Sequence, residues 1–367
     1  MRILIHLFFS LFLLQGATAQ VITRLSGGTS YFYYPPPLGT DNLANVIAVA
    51  ANNDTIILPG GIITSYNGLN ISKPLTIVGA GVFPAGTPVT DRTIIPNTLG
   101  GNSFNISSSG NGSSFHGIQF EDNITLSSGV ISISFLRCEF LLSVPLNPPG
   151  GSVHANGVQF KHCILRSGIV GGNAQNISVN NCIVQSPGLS FNTIASNISV
   201  AQSVFLLTGN GFSGGSPNST WTNNIFVLQN TSTFDLNGAG SFQNNLFALT
   251  GTPSITYGST GLYTGNQAIP LGPLGASNPN FLNISSVATF NMNVDDYQLK
   301  PAGQANAMVG VGGYKVGIFS GPLGNPWKPN AIPFNPHWTG LLPTGGTLGA
   351  TNGGTINITI QGAAQQN

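Results

Sequence analysis

The chain has 367 residues, of which 41% are hydrophobic and only 5% charged, against about 25% charged in ordinary globular proteins. Ten Lys/Arg against nine Asp/Glu give a formal net charge of +1, so the sequence carries no electrostatic footprint for nucleic acid or an anionic membrane. Regular short apolar runs exclude a disordered chain despite its 49 glycines.

Met1-Arg2, the apolar run Ile3–Leu14 and Ala17-Thr18-Ala19 form a positive start, a short hydrophobic stretch and a small-x-small cleavage site. This predicts a secretory signal peptide over 1–19 and a protein that acts outside the cell or at its surface. A membrane anchor needs roughly 20 apolar residues, and no segment reaches that, so no membrane span is expected. Loss of Arg2 leaves nine Lys/Arg against nine Asp/Glu.

An extended aromatic and proline segment, 20–39, contains Tyr31-Phe32-Tyr33-Tyr34-Pro35-Pro36-Pro37. Thr40 and Asp41 then offer N-caps for a helix over 42–51, with Leu43, Val46, Ile47 and Ala50 on one face. One short amphipathic helix ahead of strands reads as a cap on an open sheet end. Short β-branched runs bounded by Gly, Pro or Asn follow: Thr55–Leu58, Pro74–Val78, Thr93–Ile95, Phe104–Ile106 and Gly117–Phe120.

From Phe135 the chain repeats itself. Phe135, Phe160, Val179, Val200, Trp221 and Phe242 each open a unit of two mostly polar residues, a small or amide residue and an apolar pair. Their offsets are 25, 19, 21, 21 and 21 residues. A period near 20 with one alternating segment per unit signals a β-solenoid, in which no unit can bury its apolar face alone. The expected fold is therefore all-β, a single-stranded right-handed parallel β-helix over 40–340 with the cap helix at its start. Beyond Leu249 the pattern loosens, and 301–345 reads as an irregular wrap closing the C-terminal end. A Gly-rich linker and a terminal strand at 355–360 occupy 341–367.

Three cysteines normally mean a pair and a remainder. Here Cys138, Cys163 and Cys182 share one phase of successive units, where Ser203, Asn224 and Asn245 follow. A bond between stacked neighbours is sterically open, yet acceptance of Ser and Asn favours a ladder of small inward side chains. The Asn-x-Ser/Thr triplets at Asn70, Asn105, Asn123, Asn176 and Asn197 are formal glycosylation sites. Their recurrence near strand starts favours turns and amide ladders.

Asp54–Gly61 followed by Ile71–Gly79 resembles the opening coils of pectin-lyase-like right-handed parallel β-helices, where a cap helix leads into comparable strands. Asp296–Pro301 with Gly317-Ile318-Phe319, and the ending Thr355–Ile360, resemble closing segments of secreted bacterial proteins of that family whose activity is generally unassigned. The resemblance covers about residues 40–335 and implies the fold more than any one chemistry. Pectate lyases in the family bind calcium with acidic residues and use Arg or Lys as base; their sequence patterns are absent here. Polygalacturonases need paired carboxylates on successive coils, and Asp295-Asp296 falls in the wrong order. Leu323–Trp327 resembles a pectin methylesterase motif without its arginine.

One constellation is left. Glu121, Asp122, Arg137, Glu139, His154, Lys161, His162 and Arg166 gather within 121–166. The repeat register places Asp122, Arg137 and His162 in one phase, with Lys161 one place earlier. These four are candidate catalytic residues for proton abstraction beside a uronate or for hydrolysis; the reading favoured over that is a solvated face of weakly paired charges. The sequence points to a non-catalytic structural or surface-binding protein, self-associating through its terminal strand or binding a glycan. It needs no cofactor. A polysaccharide lyase, with calcium, is the alternative.

Overall fold

The computed structural model describes residues 21–33, 42–63, 68–82, 92–97, 104–146 and 154–319, the last range with short breaks at 187, 192–194, 209–217, 237–239, 288, 292–293, 302, 304–307 and 309. It also describes the backbone of His337–Pro343 and Ile358–Ala363. The signal peptide, Pro35–Pro37 and the caps Thr40 and Asp41 lie outside these ranges, as does Leu323–Trp327.

The expected all-β solenoid is the observed fold. Strands of two to four residues turn a corner, pair in parallel with the coil before and after, and build a 12-stranded sheet A and a 10-stranded sheet B. Short two- and three-stranded sheets form the third side. The repeat read from the sequence is the real register: Phe135 pairs with Phe160, then Val179, Val200, Trp221 and Phe242. It also extends further than expected. Tyr263 takes the next place, beyond Leu249 where the sequence pattern loosens.

Stacking repeats each inward residue on itself, so like packs on like. Phe115, Phe135 and Phe160 stack at 5.2 and 5.3 Å, and Phe205, Phe226 and Phe247 at 4.7 and 4.8 Å on the facing sheet. Edge-to-face contacts such as Phe135–Phe140, at 5.2 Å and 86°, join the rows across the interior.

The N-terminal end is sealed. Strand β1 (Ile22–Ser26) forms a hairpin with β2 (Thr29–Tyr33) and pairs antiparallel with β3 (Thr55–Ile57), the first coil strand. Helix α1 (Leu43–Val49) buries Leu43, Val46 and Ile47, and Asn42 is its N-cap, its side chain accepting from the Asn45 N–H at 2.9 Å. At the helix C-terminus Lys73 Nζ donates to the carbonyls of Ala48 and Ala50, both at 2.7 Å, where the helix dipole favours a cation.

The described part of the C-terminal region lies along one side of the solenoid. Phe281, Ile284, Phe290, Tyr297, Met308 and Ile318 pack on the outward residues of sheet B, including Ile183, Val204, Ile225 and Leu246. Of the wrap expected over 301–345, residues 320–336 lie outside the described ranges; the described residues of 281–319 form a strap along the side of the solenoid. This explains why Val204–Leu207 and Ile225–Leu228 are buried at every residue: strands covered on both faces read as unbroken apolar runs. The terminal strand Ile358–Ala363 pairs antiparallel with His337–Pro343.

The corner from sheet A into sheet B repeats two residues. The first adopts positive φ in eight successive coils: Gly117, Arg137, His162, Asn181, Gln202, Asn223, Asn244 and Gly265, between 50° and 67°. The second points inward as the ladder Cys138–Cys163–Cys182–Ser203–Asn224–Asn245, and the three cysteines are free and buried. Its side chains bridge coils. Asn224 Nδ2 donates to the Val200 carbonyl at 3.0 Å, while Asn224 Oδ1 accepts the Ser203 N–H at 2.9 Å. The thiols make the weaker version, with Cys163 Sγ against the Phe135 carbonyl at 3.3 Å. Burial pushes the Cys138 and Cys182 thiols up, which keeps them protonated.

Cys163→Ala is expected to cost about 1–2 kcal/mol and Cys163→Arg more than about 4 kcal/mol, because a charge there is buried without a partner. Urea melts of both variants test this. Equal stability would show that the position faces solvent, and a Cys138–Cys163 or Cys163–Cys182 bond in unreduced peptides would overturn the ladder.

Candidate functional site

The eight charged or imidazole side chains between Glu121 and Arg166 separate into different places. Arg137 and His162 share the positive-φ corner: the Arg137 N–H donates to the Lys161 carbonyl at 2.9 Å and the His162 N–H to the Asn180 carbonyl at 3.1 Å. Lys161 precedes that corner on the outer edge of sheet A and aligns with Leu136, which aligns with His116. These three candidates therefore meet as the register implied.

Asp122 does not join them. In its coil the corner is held by Gly117, and Asp122 follows the next strand, Ile118–Phe120, where its Oδ1 accepts the Asn123 N–H at 2.7 Å. Glu139 faces outward from sheet B and is buried against Arg166 at 2.7 Å. Arg166 also donates to the Phe290 carbonyl at 2.6 Å, and its guanidinium lies 6.0 Å from the Phe290 ring. That pair pins the strap to the solenoid. His154 lies just before the corner bridge at Asn156 that leads into sheet A.

What remains at the corner is a group of bases, His116, Arg137, Lys161 and His162, with the three carboxylates of 121–166, Glu121, Asp122 and Glu139, placed elsewhere. Burial, then the Arg137 and Lys161 charges, push His162 down to about 3 from 6.5. Burial and Arg137 also lower His116, and burial lowers Arg137. His162 Nε2 is buried with no hydrogen-bond partner. A neutral imidazole between cations can accept a proton only weakly, and Asp122 does not stand beside it to orient it. Among the described residues no three of His, Cys, Asp and Glu sit together as metal ligands.

Downstream, the same corner serves as the anchor line of the strap. Asn223 accepts the Val311 N–H at 2.8 Å and donates to the Val311 carbonyl at 3.3 Å. Asn181 donates to the Ile318 carbonyl at 3.1 Å. Side chains that turn outward at the corner thus pair with strap backbone.

A second arrangement was present in the repeat but unread. The residue before each inward apolar position of sheet A faces outward in register: Ser178, Ser199, Thr220 and Ser241. Two places on, Asn180, Ala201, Thr222 and Gln243 form a parallel row. Neighbouring coils lie about 4.8 Å apart, so hydroxyls and amides recur at fixed spacing along this face. They are preset by local bonds, Asn180 Nδ2 to Ser178 Oγ at 2.6 Å and Gln243 Nε2 to Ser241 Oγ at 3.0 Å. The sequon asparagines form similar rows at other sides. Asn176 and Asn197 adopt positive φ, and Asn197 Nδ2 donates to Asn176 Oδ1 at 2.9 Å. Asn105 donates to Asn70 at 2.9 Å.

Comparison of the chain with protein-family models, with curated proteins and with solved structures finds no match. The parallel β-solenoid stands on its own geometry, and no helix among the described residues is long and apolar enough to cross a membrane.

The His162 ring makes acid stability a direct probe of the corner. As pH falls, the unfolded chain protonates this ring near 6.5 while the folded chain resists until about 3. The unfolded state then binds more protons, so stability falls with pH across that window. His162→Asn, which copies the next coil's Asn181, should remove on the order of 3 kcal/mol of that loss at pH 4. Urea melts at pH 7 and pH 4 measure it. Parallel losses in both proteins would show that His162 is solvated.

Proposed function

We propose that this protein is a non-catalytic binding and structural β-solenoid that acts outside the cell and engages an uncharged, hydroxyl-rich polysaccharide through the outer face of sheet A. The observation that carries this reading is the in-register row of Ser and Thr hydroxyls on that face, with side-chain amides beside it. A periodic array of neutral donors and acceptors matches an extended, repeating ligand that offers the same groups. Lys161 is the one Lys, Arg, Asp or Glu among the sheet A outward residues from Ser114 to Thr264. An acidic glycan would find little to pair with there. The leader-like start of the chain, Met1–Ala19, supports export, and the resemblance to pectin-lyase-like β-helices supports a glycan as ligand.

The lyase alternative draws on the basic corner of His116, Arg137, Lys161 and His162. It requires a carboxylate or calcium near those groups, and Asp122 and Glu139 are each engaged elsewhere. Heating the protein with and without calcium separates the readings. An unchanged midpoint is expected, and marked stabilisation would favour the lyase.

The mature protein should be depleted from solution by insoluble neutral glycans such as cellulose or chitin. Replacing Ser199 and Thr220 together by Lys places two charged stems on the face and should weaken binding about tenfold or more, 1.4 kcal/mol, with the circular dichroism unchanged. Failure to bind any neutral glycan, or release of unsaturated ends from polygalacturonate, would overturn the proposal.

A further inference from the structure

We infer that the C-terminal end of the solenoid is an interface on which a second copy of this chain docks end to end, giving a closed two-fold dimer. The last coil consists of Ser254–Tyr257, Leu262–Thr264 and Gln267–Pro270. Its inward residues continue the core rows: Ile255 aligns with Phe234, Tyr257 with Leu236, Tyr263 with Phe242 and Ala268 with Phe247. In the preceding coil those positions are fully buried, at 0–1% exposure. In the last coil Ile255, Tyr263 and Ala268 are only partly buried, and Tyr257 is 46% exposed. Among the described residues the apolar interior is exposed at this end.

The backbone edge is open as well. Each corner N–H is accepted by the ladder side chain of the following coil, Ser203 by Asn224, Asn224 by Asn245, and Asn245 by Asn266. Among the described residues no further coil follows to do the same for Asn266. Three strand edges with an exposed apolar centre form a template for strand pairing. The other end of the molecule shows how this chain treats such an edge, since β1 pairs antiparallel on the first coil and α1 covers the core.

That contrast selects the occupant. At the other end β1 and β2 carry sheet A two strands beyond the first coil and α1 covers the core beside them, so a head-to-tail contact can pair β2 alone and leaves the other strand edges unmet. The C-terminal end is complementary to itself, because antiparallel pairing of a strand with its own copy satisfies both N–H and C=O groups. A coil of about 20 residues also reaches the low end of the roughly 20–30 residues per side of stable interfaces. Leu262 supports the site independently. It is 71% exposed and ends the hydroxyl row of sheet A, where Ser241 precedes it.

Symmetric antiparallel pairing of Leu262–Thr264 with its copy centres on Tyr263 and sets position 262 of one chain beside 264 of the other. The aromatic row Trp221–Phe242–Tyr263, stacked at 5.8 Å per step, then runs on into the second molecule. The two sheet A faces become one surface of doubled length. This inference does not depend on what that surface binds.

The full-length mature protein in sedimentation equilibrium should show twice the monomer mass, and Tyr257→Lys should return the monomer. Mixing Leu262→Cys protein with Thr264→Cys protein under mild oxidation should give covalent dimers, whereas either variant alone should give few. Cys138, Cys163 and Cys182 are fully buried and do not compete. Both cross-linking variants point outward, so this arm holds even if Tyr257→Lys fails to fold. A monomer throughout, species larger than dimers, or a dimer that cross-links no better in the mixture would overturn the inference.

Discussion

The fold depends on the corner between sheets A and B, where one residue turns in positive φ and the next points inward. At a corner the backbone leaves the sheet ladder, so its polar groups would be buried without partners, at about 1–3 kcal/mol each. The inward side chain answers for two of them at once, taking an N–H from one coil and giving a hydrogen to a carbonyl. Repeated coil after coil, it fixes the height of each turn on the last. The aromatic rows can then stack in register instead of jamming.

Two outer faces of this frame are treated in opposite ways. Sheet B is apolar on its outside from Ile164 onward and is covered by the strap, which the Arg166–Glu139 pair and the Asn181 and Asn223 amides hold in place. Sheet A carries hydroxyls and amides, and no apolar strap lies on it among the described residues. A chain with so few charges keeps its surface wet through short neutral side chains, and the strands repeat them at one spacing. Surface chemistry thereby becomes periodic because the core is periodic.

Much of this was legible because stacking forces like residues to recur. Phe135, Phe160, Val179, Val200, Trp221 and Phe242 announce the register, and the Cys-to-Asn ladder announces itself by size. The amphipathic spacing of Leu43, Val46 and Ile47 marks the cap. What failed lies where no periodic burial writes on the sequence. Gly117 holds the corner of its coil without a side chain to signal the phase, so Asp122 was assigned to a column it does not enter. The strap over Phe281–Ile318 went unread because Phe281, Phe290 and Ile318 have irregular spacing. Only the doubly apolar strands, such as Ile225–Leu228, hinted that something covers sheet B from outside. Tyr263 was missed as a coil position because Gly and Ser surround it.

The corner ladder is tested most directly by amide hydrogen exchange in Asn224→Ala. That substitution removes the acceptor of the Ser203 N–H and the donor to the Val200 carbonyl, and nothing at the surface changes. The account predicts that the Ser203 amide, slow in the parent protein, exchanges at least tenfold faster, with a stability loss of about 2–4 kcal/mol for two orphaned groups. Unchanged exchange at Ser203 with unchanged stability would show that the side-chain ladder does not hold the coils together.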